Sequence, residues 1–238
     1  MQGQRRKRWE SGFTFIEVMV SMVIASFVFS GIYGVYTIQQ RSYAVQEQVS
    51  EMQQKGRAAL DFMVRDVRMA GYNDPDGNCT SQSINSWVAL PTKFAFDKCE
   101  DGNTTPVTVE YGLYDVYDGT EMSNDIEDDL YRIENGGTPQ LIVEGLDAVE
   151  FSYILEDEVN SVTTVATADV ARIRSIQISL LVRSTYPDQK YTETVQYTPA
   201  SGATDWEILS KTGPLSLSWY NYHRRLLITT VKLRNMGL

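Results

Sequence analysis

The sequence predicts an α+β fold in which one long amino-terminal helix packs on an antiparallel β-sheet, and three observations lead there. No proline occurs before Pro75, so nothing forbids a continuous helix from Phe13 to about Ala70, a rod of roughly 87 Å at 1.5 Å per residue. Gly71-Tyr72-Asn73-Asp74-Pro75 then reads as a helix stop, the glycine offering a left-handed conformation and the proline preventing continuation. Beyond Pro75 the apolar pattern shortens into alternating runs rich in β-branched and aromatic residues.

The helix has two characters. From Val18 to Ile38 there are 21 residues without Asp, Glu, Lys or Arg, and about 20 suffice to cross a bilayer. Arg5, Arg6, Lys7 and Arg8 precede the run, so the basic bias places the amino end inside and the carboxyl end outside. Glu17 sits at the head of this segment, where an ionised side chain costs roughly 2.5 to 3.5 kcal/mol at mid-membrane, which marks it as functional with a partner to be found. Ser21, Ser26, Ser30, Gly31 and Gly34 supply small residues for close helix approach. Gly31 and Gly34 are equally readable as weak points, since each glycine costs about 1 kcal/mol in a helix interior.

In the second half Val45, Val49, Met52, Gly56, Ala59, Met63, Val67 and Ala70 recur at spacings of three and four and make one apolar stripe, which should lie against a sheet. Glu51 with Lys55 and Asp61 with Arg65 form i,i+4 pairs on the other faces. Strands are expected at Val107 to Tyr114, Val149 to Leu155, Ile173 to Val182, Tyr191 to Tyr197 and Arg225 to Leu233. Leu130 to Glu134 and Gln140 to Val143 read as a hairpin about Gly136-Gly137. Glu156 to Asp169 and Thr198 to Leu217 read as loops.

A secretory signal places its cleavage site after the apolar core, whereas here the strong glycine junction lies before it, so cutting after Gly12 keeps the hydrophobic helix. Gly12-Phe13-Thr14-Phe15-Ile16-Glu17-Val18-Met19 resembles the class III leader junction of type IV prepilins and pseudopilins, with Phe15 in place of the commoner leucine. The resemblance continues through Gln40 to Tyr43, Gly56 to Phe62, Arg65 to Tyr72 and the terminal Arg224 to Val231. Together these segments look like a PilW-type minor pilin. Asn73 to Ala168 carries no pattern that aligns.

The resemblance implies a type IV pilin-like fold, with residues 1–12 as leader, 13–72 as helix and 73–238 as an exported β-rich domain. It implies that prepilin peptidase cuts between Gly12 and Phe13, that Phe13 becomes the N-methylated first residue, and that Glu17 becomes the fifth. It further implies an inner-membrane stage with the carboxyl end in the periplasm, contact with a pilus assembly platform, and partners among other minor pilins, the major pilin and a tip adhesin. Neither catalytic residues nor cofactors are implied.

Glu17 can also be read from physics. Four residues span about 6 Å of helix, so its carboxylate and the freed amine lie at similar depth. Opposite charges about 4 Å apart attract by roughly 4 kcal/mol at an effective dielectric of 20, before desolvation. A neighbour's amine could supply that attraction and so select the incoming subunit. The competing reading is a carboxylate that satisfies its own helix amino end.

The chain carries 21 basic and 31 acidic residues, a net charge of −10, and four of the basic and one of the acidic residues lie in the first twelve. The remainder is therefore more acidic still, which argues against a nucleic-acid partner. Cys79 and Cys99 are the only cysteines; in an exported compartment the pair reads as a disulfide. Tyr114 to Leu130 is rich in acids and gives weak calcium candidates in Asp125, Asp128 and Asp129, but without a twelve-residue calcium loop a solvated acidic loop is the favoured reading. No hydrolase, phosphate-loop or zinc motif is present, and the single histidine, His223, reads as structural. Arg224 and Arg225 are expected to pair with acidic surface groups.

Two rival readings share these features. A J-type pseudopilin of a type II secretion system has the same leader, helix and terminal strand. A protein left uncut would instead be a membrane-anchored periplasmic binding protein.

Overall fold

The computed structural model describes residues 12–76, 78–80, 88–100, 102–115, 128–156, 158–202, 206 and 221–235. The chain divides into two compact units, Met1–Glu47 and Gln48–Leu238. Helix α1, Phe15–Val67, runs through the first and opens the second. In the first unit every large apolar side chain from Phe13 to Ile38 is exposed, and an 18-residue window with mean hydropathy 2.1 has none of its residues buried. Backbone hydrogen bonding is satisfied within the helix. Its hydroxyls turn inward too, Ser21 donating to the Glu17 carbonyl, Ser26 to that of Val23 and Thr37 to that of Gly34. Such a surface, apolar outside and polar groups satisfied inside, suits hydrocarbon.

Among the described residues the second unit holds seven strands: β1 Val88–Ala89, β2 Lys93–Lys98, β3 Val107–Asp115, β4 Asp128–Glu134, β5 Gln140–Leu155, β6 Ile173–Arg183 and β7 Arg224–Lys232. They form one sheet in sequence order, each strand antiparallel to the next. A 3-10 helix, Thr167–Arg172, leads into β6. Met52, Gly56, Ala59, Met63, Val67 and Ala70 of the expected stripe are buried and Val45 and Val49 half-buried. Met52, Ala59, Met63, Val67 and Ala70 belong to a cluster that includes Phe94, Tyr111, Leu130, Phe151, Ile176 and Val231, with Val49 packed against it.

Gly56 shows how close helix and sheet approach. A Cβ at that position would stand 2.6 Å from Leu227 Cδ1 and 3.0 Å from Val182 Cγ1, so glycine is there for contact with β6 and β7. At the other end the helix stops as read from sequence. Gly71 has φ 72° and its N–H donates to the Asp97 carbonyl, which joins the helix exit to β2.

Just before that exit Asp66 fastens α1 to three strands. Its Oδ1 accepts from Lys98 Nζ at 2.9 Å, and its Oδ2 from Tyr111 Oη at 2.8 Å and Arg132 Nε at 2.7 Å. Arg132 also pairs with Glu134, and Lys98 with Glu100 at 3.2 Å. Burial opposes ionisation of Asp66, but the hydrogen bonds from Lys98, Arg132 and Tyr111 outweigh it and hold its pKa below the ordinary carboxylate value. Burial first, then the neighbouring Asp66 charge, pushes the Tyr111 phenol far above its usual value, so it stays a donor.

Four expectations change. Gln140 to Val143 and Val149 to Leu155, expected as separate strands, are one strand, β5, bent at Gly145 (φ 76°) with register shifts on both sides, so what divides them is a bulge. The β4–β5 turn centres on Asn135-Gly136, both with positive φ, one residue before the expected Gly136-Gly137. Tyr191 to Tyr197 is not a strand: Glu193 draws the segment round its own carboxylate, accepting from Tyr191 Oη at 2.7 Å, Tyr197 Oη at 3.0 Å and the Val195 N–H at 3.1 Å. β1 and β2 went unpredicted because Lys93-Phe94-Ala95-Phe96-Asp97-Lys98 does not alternate, being buried from Phe94 through Asp97. Most of Thr198 to Leu217 lies outside the described residues.

Two outcomes are expected of the full chain in detergent. Replacing Gly56 by Leu forces side chain into the β6–β7 contact and lowers stability by about 1 to 3 kcal/mol, read by chemical unfolding. Asp66→Ala strands buried cations and costs about 3 to 5 kcal/mol, toward the lower figure because Glu100 and Glu134 remain. Because the folded pKa of Asp66 is depressed, its contribution is complete above the unfolded value of about 3.9 and disappears as pH falls through the folded pKa. The stability gap between wild type and Asp66→Ala should therefore narrow below about pH 4; a gap independent of pH would remove this role from the carboxylate.

Candidate functional site

The amino-terminal junction is built by the first turn of α1. Gly12 and Phe13 precede it outside any regular element, both exposed. Thr14 and Glu17 form a reciprocal cap: Glu17 Oε2 accepts from the Thr14 N–H and from Thr14 Oγ1, each at 3.1 Å, while Thr14 Oγ1 accepts from the Glu17 N–H at 3.4 Å. This is the T-x-x-E capping box. Thr14 was not singled out from sequence, although the three-residue spacing to Glu17 was there to find it.

The geometry gives Glu17 a local task, the one the competing reading assigned it. One oxygen is enough for that task. Oε1 has no hydrogen-bond partner among the described residues, so the carboxylate can cap its own helix and present a second oxygen elsewhere. In apolar surroundings that oxygen is a strong acceptor for a cation at the same depth.

The remaining sequence-derived positions separate widely. Cys79 and Cys99 form a disulfide with Cα atoms 6.0 Å apart, both buried. With the Cys99 N–H donating to the Tyr72 carbonyl and the Asp74 N–H to that of Cys79, the bond ties the segment after α1 to the end of β2. Asp125 lies outside the described residues, and Asp128 is placed only as the first residue of β4. Asp129 is buried, and its Oδ1 accepts the Gly145 N–H at 3.1 Å, which holds the β5 bulge.

His223 stacks on Tyr191 with ring centres 3.8 Å apart, and its Nε2 stands 3.7 Å from Asp188 Oδ2. Burial first, then Glu193, pushes the Tyr191 phenol up to about 12. Trp219 and Tyr220, which precede His223 in sequence, lie outside the described residues. Arg224 is not a surface cation: it is buried and donates through Nε to Asp147 Oδ2 at 2.5 Å, while Arg225 is exposed. The expected Glu51–Lys55 pair is formed at 2.7 Å, whereas Arg65 Nε donates to the main-chain carbonyl of Asp61 at 3.3 Å.

Replacing both Cys79 and Cys99 by Ala should lower stability by about 2 to 4 kcal/mol, read as a lower unfolding midpoint of the oxidised full chain. An unchanged midpoint would mean that the surrounding hydrogen bonds alone hold this corner.

A prokaryotic N-terminal methylation motif matches residues 10–33, which include the junction and the exposed apolar turns of α1. Among solved structures, a type IV-like pilin from Thermus thermophilus is similar at 12% identity and a TM-score of 0.43, covering 79% of this chain and 100% of that one. No curated protein matches the chain. The family described as Type IV Pilus-assembly protein W matches residues 113–235, more than half of the sequence, and the chain belongs to it.

Proposed function

We propose that this protein is a minor subunit of a type IV pilus, cut by prepilin peptidase between Gly12 and Phe13, methylated on Phe13, and incorporated in the filament or priming it, at its tip. One observation carries the reading. An ionisable side chain, Glu17, heads a helix whose large apolar side chains from Phe13 to Ile38 are all exposed, directly after a glycine junction. That surface is covered first by inner-membrane lipid and then by neighbouring subunits. Removal of the leader exposes an amine four residues from Glu17, and the free Oε1 of an incoming subunit neutralises the amine of one already in place. Cysteine pairing fits passage through the periplasm.

The partners in this scheme are prepilin peptidase, the assembly platform, other minor pilins, the major pilin and a tip adhesin. The protein assembles and does not catalyse. Head-to-tail addition of such subunits gives an open helical filament, not a closed ring.

Mass analysis of the native amino terminus tests processing: a methylated Phe13 is expected, and an intact Met1 points to a static anchor. Glu17→Gln tests recruitment. It keeps the shape and an acceptor for the Thr14 cap, but removes the charge; incorporation into sheared pili should fall at least tenfold, the equivalent of about 1.4 kcal/mol. Undiminished incorporation would leave Glu17 with capping alone. Deleting the gene should abolish surface pili with secretion intact, and the reverse result would assign the subunit to a type II secretion system.

A further inference from the structure

The two edges of the sheet are unlike. At one, β1 has only two residues, and the Ala89 carbonyl accepts the Val165 N–H at 3.0 Å, so a loop covers it. At the other, β7 offers nine residues, and among the described residues no strand lies beyond it. Natural sheets shorten or cover their edges because an open one templates further pairing. Here only one edge is so treated.

The register fixes which groups are open. β6 and β7 pair without a shift from Ser175↔Lys232 to Arg183↔Arg224, and the pattern extends at both ends through the Leu233 N–H to the Arg174 carbonyl and the Ser184 N–H to the His223 carbonyl. Odd-numbered residues of β7 therefore bond to β6, and even-numbered ones turn their main chain away. Leu226, Ile228 and Thr230 direct three N–H and three C=O groups outward, and no hydrogen-bond partner meets them among the described residues. Leu227, which reaches α1 at Gly56, and buried Val231 anchor the strand from behind. Ile228 is 48% exposed on this open edge.

The edge also has its own sign. From Arg224 to Arg234 there are four basic residues and no acid, in a protein of net charge −10. Arg224 is spent on Asp147, but Arg225, Lys232 and Arg234 are exposed and have no ion-pair partner among the described residues.

We infer that β7 is a docking edge that takes one extended, acidic segment of a different protein as an eighth strand, bonded to the main chain of Leu226, Ile228 and Thr230 and steered by Arg225, Lys232 and Arg234. Main-chain bonds supply the pairing and charge supplies the choice. A second copy of this chain is the poorer occupant. Antiparallel self-pairing centred on Ile228 sets Arg224 opposite Lys232 and brings two basic tracts together, and like charges facing across strands oppose pairing. The inference stands on the edge itself and does not depend on processing or on Glu17.

The test uses the full chain in detergent and two synthetic eight-residue peptides, one alternating valine or threonine with glutamate, the other with lysine in place of glutamate. The acidic peptide should bind, weaken as salt rises, and slow hydrogen exchange at Leu226, Ile228 and Thr230; the lysine peptide should not. Ile228→Pro removes an outward N–H that β6 does not use, so the fold is retained by circular dichroism while binding falls at least tenfold. The triple variant Arg225→Glu, Lys232→Glu and Arg234→Glu should reverse the preference between the peptides. No binding at millimolar peptide, protection elsewhere, equal binding of both peptides, or β7-to-β7 crosslinks between two copies would overturn the proposal.

Discussion

The carboxylate of Asp66 is the point on which the globular unit is assembled. One side chain near the end of α1 takes an ammonium from β2, a phenol from β3 and a guanidinium from β4, all within 2.9 Å. Hydrophobic packing brings a helix onto a sheet but leaves its rotation and its slide along the strands loosely determined. A buried acceptor with three donors on three strands allows one setting. The cost is desolvation, offset only while every partner is in place, which is why such clusters specify an arrangement more than they stabilise it.

With that end fixed, the rest of the amphipathic half follows. Steps of four, four and three residues carry the buried stripe back from Val67 through Met63 and Ala59 to Gly56, where the absent side chain lets Leu227 and Val182 close on the helix. Helix and sheet are thus in contact at both ends of the interface, through a polar cluster at β2 to β4 and through bare backbone at β6 and β7. The disulfide and the Gly71 turn then secure the chain as it leaves the helix for β2. The opposite face of the sheet is closed differently, by polar groups. Ala200 donates its N–H to Ser179 Oγ at 3.0 Å, and Ser201 its hydroxyl to buried Glu150 at 3.0 Å, so the segment after Tyr197 lies across β5 and β6 without adding a strand.

At the amino-terminal junction the two readings of Glu17 prove compatible. The capping box uses Oε2, leaving Oε1 without a partner among the described residues. Capping also fixes the carboxylate at the helix start, through Thr14. That economy was legible in part: the glycine junction and the lone acid stood out in the sequence, while Thr14, an ordinary residue in an apolar run, did not. Asp66, within the segment Arg65 to Tyr72, does not stand out as a site, because a single acid among arginines on a helix looks solvated until the sheet is placed over it.

What the sequence by itself determined is what depends on neighbours along the chain. The uncharged run to Ile38, the stripe from Val49 to Ala70, the Gly71 stop, the alternation in β3 and the β-branched content of β6 and β7 are local features, and each is found within a residue or three of its expected place. What only the tertiary structure decided is what depends on residues far apart. β2 is buried along most of its length and shows no alternation; β5 crosses a glycine bulge that reads as a break; Tyr191 to Tyr197 has strand composition but curls round Glu193; Asp66 gathers donors 32, 45 and 66 residues away. Periodicity records which face of an element is apolar, whereas burial on both faces, bulges and buried ion clusters are set by what packs against it, and that is not written in any one segment.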